Sequence, residues 1–160
     1  MAYKVWIVDD EEIVCRGLAQ FVKWQEHGFV VAGIANSVDE ALLQLEHAEA
    51  DVIFLDIRMP GKTGLDMLQI LRKSRPGVKT VILSGFSEFS YAREAIRYGA
   101  VDYLTKPVNL KEVEALLERL KEEFEKEDRE QEIRDNRIEG VLISVVKGVA
   151  EVEQEKYQLP

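Results

Sequence analysis

The chain has 160 residues, 46% of them hydrophobic, and a formal net charge of −9 at pH 7. This composition predicts one globular domain with a short appendage, and the negative charge argues against nucleic-acid binding by this chain alone. The single cysteine, Cys15, excludes an internal disulfide, and no apolar stretch is long enough for a signal peptide or a membrane span. We therefore expect a soluble cytoplasmic protein.

Short apolar runs predict five β-strands, at residues 4–8, 29–35, 51–55, 78–83 and 101–105. The run 52–55 is apolar throughout and is soon followed by Pro60 and Gly61. Such a run is typical of a strand that is buried on both faces of a parallel sheet.

Helical spacing of apolar residues separates these strands. We predict helices at 12–24, 65–73 and 88–98, one that starts within 36–40, and one that begins after Asn109. The apolar face of the first helix comprises Ile13, Val14, Leu18, Phe21 and Val22.

Alternating strands and helices indicate an α/β fold, a doubly wound five-stranded parallel sheet of the flavodoxin-like type. Right-handed crossovers then favour the strand order 2-1-3-4-5.

The composition changes beyond Leu120, where the chain becomes highly charged but keeps helix-forming residues. We expect a first domain at 1–124 and a helical extension at 125–160. Apolar residues recur at heptad positions, namely Leu110, Val113, Leu117, Leu120, Phe124, Ile138, Val141 and Val145. Polar Glu127, Gln131 and Arg134 interrupt this seam. Two interpretations stay open: a solvated single helix or a dimerising coiled coil.

Polar groups follow four of the predicted strands: Asp9 and Asp10, then Asp56, then Ser84, then Lys106. The carboxyl ends of parallel strands share one edge of the sheet, where ligands bind. Clustered carboxylates repel one another unless a cation lies between them, and oxygen ligands favour Mg²⁺. An aspartate beside Mg²⁺ can act as a nucleophile towards phosphorus, with hydroxyl and ammonium donors for the phosphoryl oxygens.

These residues stand in sequence motifs that resemble the receiver domain of two-component response regulators over about residues 3–124. The motifs are Val8-Asp9-Asp10-Glu11, Leu55-Asp56-Ile57-Arg58-Met59-Pro60-Gly61, Leu83-Ser84-Gly85 and Tyr103-Leu104-Thr105-Lys106-Pro107. A narrower resemblance, carried by 21–29 and 84–96, is to the YesN-like branch, which has an AraC-type DNA-binding output module.

The resemblance implies a role for each strand-end residue. Asp56 is the expected phosphoacceptor. Asp9 or Asp10, or both, are expected to hold Mg²⁺ together with Asp56 and the backbone carbonyl of Arg58. The phosphoryl oxygens would be bound by the remaining polar groups, Ser84 and Lys106.

The resemblance also implies a switch and partners. Tyr103 would be the switch aromatic, and the Lys106–Pro107 bond would be cis. The expected donor is a sensor histidine kinase, and contact with DNA or a transcription output would require an output module that is absent from this chain. A homodimer is the assembly that we expect from the heptad seam. Two interpretations stay open: a piece of a longer protein that ends where the linker helices would lead into that module, or a natural short form.

Two other functions compete with this signalling role. A Mg²⁺-dependent phosphohydrolase with an aspartate nucleophile would carry an Asp-x-Asp pattern after the first strand, whereas here Asp9 and Asp10 are adjacent. A flavodoxin-like cofactor binder would need a phosphate-cradling loop at that place, which four acids occupy. We therefore predict a signalling protein and not an enzyme.

Overall fold

A computed structural model describes the backbone of residues 1–157 and the side chains of residues 1–153. The strands are β1 Tyr3–Val8, β2 Phe29–Ala35, β3 Val52–Asp56, β4 Lys79–Ser84 and β5 Asp102–Thr105. The helices are α1 Glu12–Phe21, α2 Val38–Leu45, α3 Gly64–Ser74, α4 Phe89–Arg97 and α5 Leu110–Tyr157, with a 3₁₀ turn at Trp24–His27.

The five strands form one parallel sheet in the order β2-β1-β3-β4-β5, which confirms the predicted topology. The central strand β3 is buried along its whole length, as its unbroken apolar sequence predicted. Because the strands are parallel, all five carboxyl ends lie along one edge of the sheet, and this edge carries the candidate site.

The first helix differs from its prediction in length and in burial. It ends at Phe21, and Val22 is already extended (φ −79°, ψ 135°). The indole of Trp24 folds back and donates a hydrogen bond to Leu18 O at 2.9 Å, so the helix end is capped by a side chain from the next turn. Ile13 and Phe21, expected on the buried face, are exposed. The other predicted boundaries agree with the structure to within about two or three residues.

The loop after β3 returns close to the end of that strand. Gly64 N donates to Ile57 O at 2.9 Å, and a Cβ at position 64 would overlap Asp56 O and the Cα of Ile57. Thr63 caps α3: its hydroxyl accepts from Asp66 N at 3.2 Å, while the Asp66 carboxylate accepts from Thr63 N at 2.8 Å. This capping box, which the sequence analysis did not predict, fixes the loop that follows Asp56.

The last helix begins where Asn109 predicted. Asn109 Oδ1 accepts from Lys111 N at 2.9 Å and from Glu112 N at 3.4 Å. The chain divides into two compact units, Met1–Glu118 and a second that begins at Arg119. The domain boundary expected after residue 124 stays a prediction.

We call residues 125–153 the tail. Every side chain in the tail is exposed. The last three residues of the predicted extension, 158–160, lie outside the described part of the chain. Among the described residues, no helix is both long enough and apolar enough to cross a membrane.

Candidate functional site

Four strand ends bring polar side chains to one edge of the sheet. Val8 pairs with Leu55, one residue before Asp9 and Asp56 respectively, so the two aspartates leave neighbouring strands at the same level. On the other side of β3, Ser84 ends β4, and its carbonyl accepts from Lys106 N at 2.7 Å. The parallel register therefore places these predicted site residues side by side.

Asp9, Asp10, Glu11 and Asp56 form what we call the acidic cluster. Each offers a carboxylate oxygen, and these oxygens all lie within 4.8 Å of one another. Asp9 is fully buried and Asp56 is 4% exposed, whereas the other two are exposed. Two carboxylates are thus held out of water beside two more, an arrangement that is costly without a compensating positive charge.

Lys106 supplies part of that charge. Its Nζ lies 2.8 Å from Asp9 Oδ2, 3.1 Å from Glu11 Oε1 and 3.4 Å from Asp56 Oδ2. Burial alone would lower the pKa of Lys106, but the close contact with Asp9 and the charges of the neighbouring acids raise it. The ammonium group is therefore firmly protonated at neutral pH.

The pKa of Asp56 is raised from its ordinary value of 3.8 to about 7. Burial is the main cause, followed by the negative charge of Asp9, and Lys106 opposes both. One ammonium group therefore does not neutralise the cluster, and a further cation would lower the cost of ionising Asp56.

One oxygen of the acidic cluster, Asp9 Oδ2, is placed to bind such a cation. Asp9 Oδ2 is buried and has no hydrogen-bond donor among the described residues, although the Lys106 ammonium forms an ion pair with it. The donor set consists of carboxylate oxygens, with no imidazole or thiolate ligand within it. Such a set suits a hard divalent cation such as Mg²⁺.

Arg58 links the loop after β3 to the start of α4. Its N–H points to Asp56 Oδ1 at 3.4 Å, and its Nε lies 3.8 Å from Glu88 Oε1. The guanidinium carbon lies 5.6 Å from the centre of the Tyr91 ring, in cation–π range. Glu88 also accepts from Gly85 N at 2.8 Å and so holds the loop after β4. Metal binding by the Arg58 carbonyl stays a prediction.

The two predicted switch residues occupy different environments. Ser84 is buried at the end of β4. Tyr103 is half-buried in β5 and packs edge-on against the exposed ring of Phe89, with centroids 6.3 Å apart. The Lys106–Pro107 peptide bond between β5 and α5 is cis, as expected. Movement of Ser84 or Tyr103 stays a prediction.

Sequence reasoning missed two residues at this edge. Glu11 was quoted as part of the Val8-Asp9-Asp10-Glu11 motif but given no role, yet it contacts Lys106. Glu88 was placed at the start of a helix, yet its carboxylate contacts both Gly85 and Arg58. The contacts of Glu11 with Lys106 and of Glu88 with Arg58 have no local sequence signal, because each joins side chains through the tertiary fold.

A parallel sheet of order 2-1-3-4-5, with buried carboxylates and a lysine at its carboxyl edge, is the architecture of receiver domains. Residues 5–118 match the response regulator receiver domain family. The chain belongs to this family. Its domain is a signalling module controlled by phosphorylation.

Named relatives are transcriptional regulators. The chain is 35% identical over 126 residues to the uncharacterized transcriptional regulatory protein YesN of Bacillus subtilis, covering 79% of this chain and 34% of YesN. It is 35% identical over 118 residues to the transcriptional regulatory protein HptR of Staphylococcus aureus, covering 74% of this chain and 46% of HptR. The chain thus spans less than half of these relatives.

The fold is shared with solved receiver domains. The REC domain of AraT, a response regulator from Geobacillus stearothermophilus, superposes with a TM-score of 0.75 at 37% identity and covers 80% of this chain and 99% of its own. A two-component transcriptional regulator AraC from Clostridium phytofermentans gives a TM-score of 0.67 at 28% identity, with 74% and 92% covered. These matches agree with the strand order and with the YesN-like resemblance.

Proposed function

We propose that Asp56 accepts a phosphoryl group from a sensor histidine kinase, with Mg²⁺, and that the chain thereby controls a transcription output. The observation that carries this proposal is the Asp56 carboxylate, buried within 3.4 Å of the Lys106 ammonium and inside the acidic cluster. The proposed role is stoichiometric signalling rather than turnover of a substrate, in the cytoplasm.

In the proposed transfer, an ionised Asp56 oxygen attacks phosphorus. A new P–O bond forms to Asp56, the bond from phosphorus to the donor's leaving group breaks, and the leaving group departs with that electron pair. Asp9, Asp10, Asp56 and the Arg58 carbonyl would hold Mg²⁺, which when bound neutralises charge on the phosphoryl oxygens.

The chain's own donors act on the transferred group. The Lys106 ammonium already contacts Asp56 and would pair with a phosphoryl oxygen. Ser84 ends the neighbouring strand, and its hydroxyl would donate to another oxygen. Movement of Ser84 would open space for Tyr103, which would alter the face made by α4, β5 and α5.

The proposed output runs through α5. This helix begins at Leu110, shortly after Lys106, and continues through the tail. We propose that the altered face changes self-association of the chain into a homodimer. Because the relatives YesN and HptR are named transcriptional regulatory proteins, DNA binding would come from an output module outside the residues of this chain.

The direct test is phosphorylation by a small acyl phosphate. With acetyl phosphate and Mg²⁺, the wild-type chain should gain one phosphoryl group by intact mass, stable in mild acid and lost in base. Asp56→Asn removes the nucleophile and should abolish the gain. Asp39→Asn is the matched control, because Asp39 is an exposed acid paired with Lys62. Undiminished labelling of Asp56→Asn would contradict the assignment.

A further inference from the structure

Glu11 completes the surroundings of the Lys106 ammonium. Its Oε1 accepts a hydrogen bond from Lys106 Nζ at 3.1 Å, beside the contacts from Nζ to Asp9 and Asp56 at 2.8 and 3.4 Å. An ammonium group carries three N–H donors. Three carboxylates, one for each possible donor, lie within 3.4 Å of Lys106 Nζ. The longest of the three contacts is the one to Asp56.

The backbone of Glu11 is fixed on both sides. Its N–H donates to Asp9 Oδ1 at 2.9 Å, and its carbonyl accepts from Val14 N and Cys15 N at 3.1 and 3.3 Å. Asp9 thus holds the Glu11 backbone with one oxygen and pairs with Lys106 through the other. The fixed backbone sets the point from which the Glu11 side chain reaches Lys106, although binding still costs the side chain its rotamer freedom.

Glu11 is also an unusual choice for its position. It occupies the N-cap of α1, where Ser, Thr, Asp and Asn are preferred because their short side chains bond to free backbone N–H groups. The Glu11 side chain makes no capping hydrogen bond. Its observed partner is Lys106, 95 residues away in sequence. The helix start therefore forgoes a stabilising cap at the residue that reaches the site.

We propose that Glu11 is a positioning residue for phosphoryl transfer to Asp56. The Glu11 carboxylate accepts a hydrogen bond from Lys106 Nζ and, together with the ion pair to Asp9, holds the ammonium 3.4 Å from Asp56, where the phosphoryl oxygens would arrive. Glu11 acts through Lys106 and not on the reacting atoms. This inference rests on the proposed role of Asp56 as the phosphoacceptor.

Two effects of Glu11 must be separated, because its charge also repels an anionic donor. Glu11→Asp keeps the charge but shortens the side chain by one methylene, so it withdraws the contact with Lys106. Glu11→Ala removes both charge and contact. Glu12→Gln is the matched control, since Glu12 is the adjacent acid and pairs with Arg16 on the exposed side of α1.

The kinetic test measures phosphoryl gain from limiting acetyl phosphate with excess Mg²⁺. Loss of one charge-assisted hydrogen bond that is partly screened by solvent should slow Glu11→Asp and Glu11→Ala by about 5- to 10-fold. Glu12→Gln should label at the wild-type rate. A Glu11→Asp rate equal to wild type, or a faster Glu11→Ala, would mean that only charge matters and would overturn the proposal.

A second readout observes Lys106 directly, in protein without metal or donor. Because Glu11 accepts a hydrogen bond from the ammonium, and Asp9 and Asp56 form ion pairs with it, the Lys106 ammonium protons should exchange slowly with water and give a ¹H–¹⁵N signal. Glu11→Asp should lose that signal, whereas Glu12→Gln should keep it. The melting temperatures of both variants should stay near that of wild type. Retention of the signal in Glu11→Asp would overturn the positioning role of Glu11, whatever the outcome of wild-type labelling. Failure of this proposal can therefore be distinguished from failure of the proposed phosphoacceptor role of Asp56.

Discussion

The carboxyl edge of the sheet, which we call the site edge, buries charged side chains, whereas the tail exposes apolar ones. Asp9 and Asp56 are withdrawn from water at the carboxyl end of the sheet. In the tail, large apolar residues stand at least half exposed: Ile133, Ile138, Val141, Leu142, Ile143, Val145, Val146, Val149 and Val152. Both regions depart from the usual distribution of side chains, in opposite directions.

Each of the two regions therefore requires a different kind of partner from outside the chain. A buried carboxylate pair needs positive charge or a proton, and Lys106 supplies only one positive charge. An exposed apolar helix face needs another apolar surface. The first need is met by small ions and groups, and the second by a macromolecule, so the two regions can be perturbed separately.

The largest expected effect concerns the pH dependence of stability in protein without metal. Because the folded state raises the pKa of Asp56 to about 7, it holds this proton more tightly than the unfolded chain. The stability that the protonated form contributes is therefore lost as pH rises from about 4 towards 7. Between pH 5 and pH 8, wild type should lose about 2 to 3 kcal/mol relative to Asp56→Asn.

Urea unfolding of both proteins at the two pH values, with a chelator present, measures this difference. Asp39→Asn should follow the wild-type curve, because Asp39 lies at the surface with Lys62. Parallel pH curves for wild type and Asp56→Asn would show that the buried charge is already compensated.

The second prediction concerns self-association of the tail. Coupling between sites is typically about 1–3 kcal/mol, so phosphorylation should tighten a homodimer by roughly 5- to 150-fold. Val145→Glu places a charge in the predicted seam and should abolish association, whereas Ile143→Glu lies on the opposite side of the heptad and should leave it intact.

Sedimentation with and without acetyl phosphate checks both statements about the tail. Equal dimerisation constants in the two states would remove dimerisation as the output while leaving Asp56 phosphorylatable. Loss of association in both variants would indicate that apolar contacts surround the helix instead of following one seam.

Much of the fold could be predicted because its signals are local. The unbroken apolar run of β3 and the turn residues around it predicted a buried central strand, and strand–helix alternation predicted the sheet order. The strand-end positions of Asp9, Asp56 and Lys106 followed from the same reasoning, since parallel strands share one carboxyl edge.

The remaining features depend on tertiary contacts. The end of α1 depends on the Trp24 indole reaching Leu18 O. Periodicity identified the apolar face of α1 but not which of its residues other elements pack against. Ile13 and Phe21 were therefore expected on the buried face, yet they are exposed. The contact of Glu11 with Lys106 joins distant parts of the chain.

The third prediction concerns the cation at the site edge. A ligand that binds only the folded state stabilises it, by about 1.4 kcal/mol at ten times its dissociation constant. Millimolar Mg²⁺ should therefore raise the melting temperature of wild type. The Asp9→Asn/Asp10→Asn double variant should melt higher than wild type without metal and respond less to Mg²⁺. Indifference of wild type to Mg²⁺ would contradict the cation site.

The smallest expected effects test the tail as a helix. Gly140 and Gly148 lie in exposed helix, and a Cβ at either position would meet nothing within 4 Å. Since glycine destabilises a helix interior, alanine should stabilise the tail by about 0.5–1 kcal/mol at each position, seen as higher helicity by circular dichroism. Gly140 lies off the predicted seam, so Gly140→Ala should leave association unchanged. Gly148 lies on the seam, so Gly148→Ala adds apolar surface there and should tighten association. If Gly148→Ala raised helicity but weakened association, the partner helix would need the close approach that glycine allows, and the simple heptad seam would be wrong.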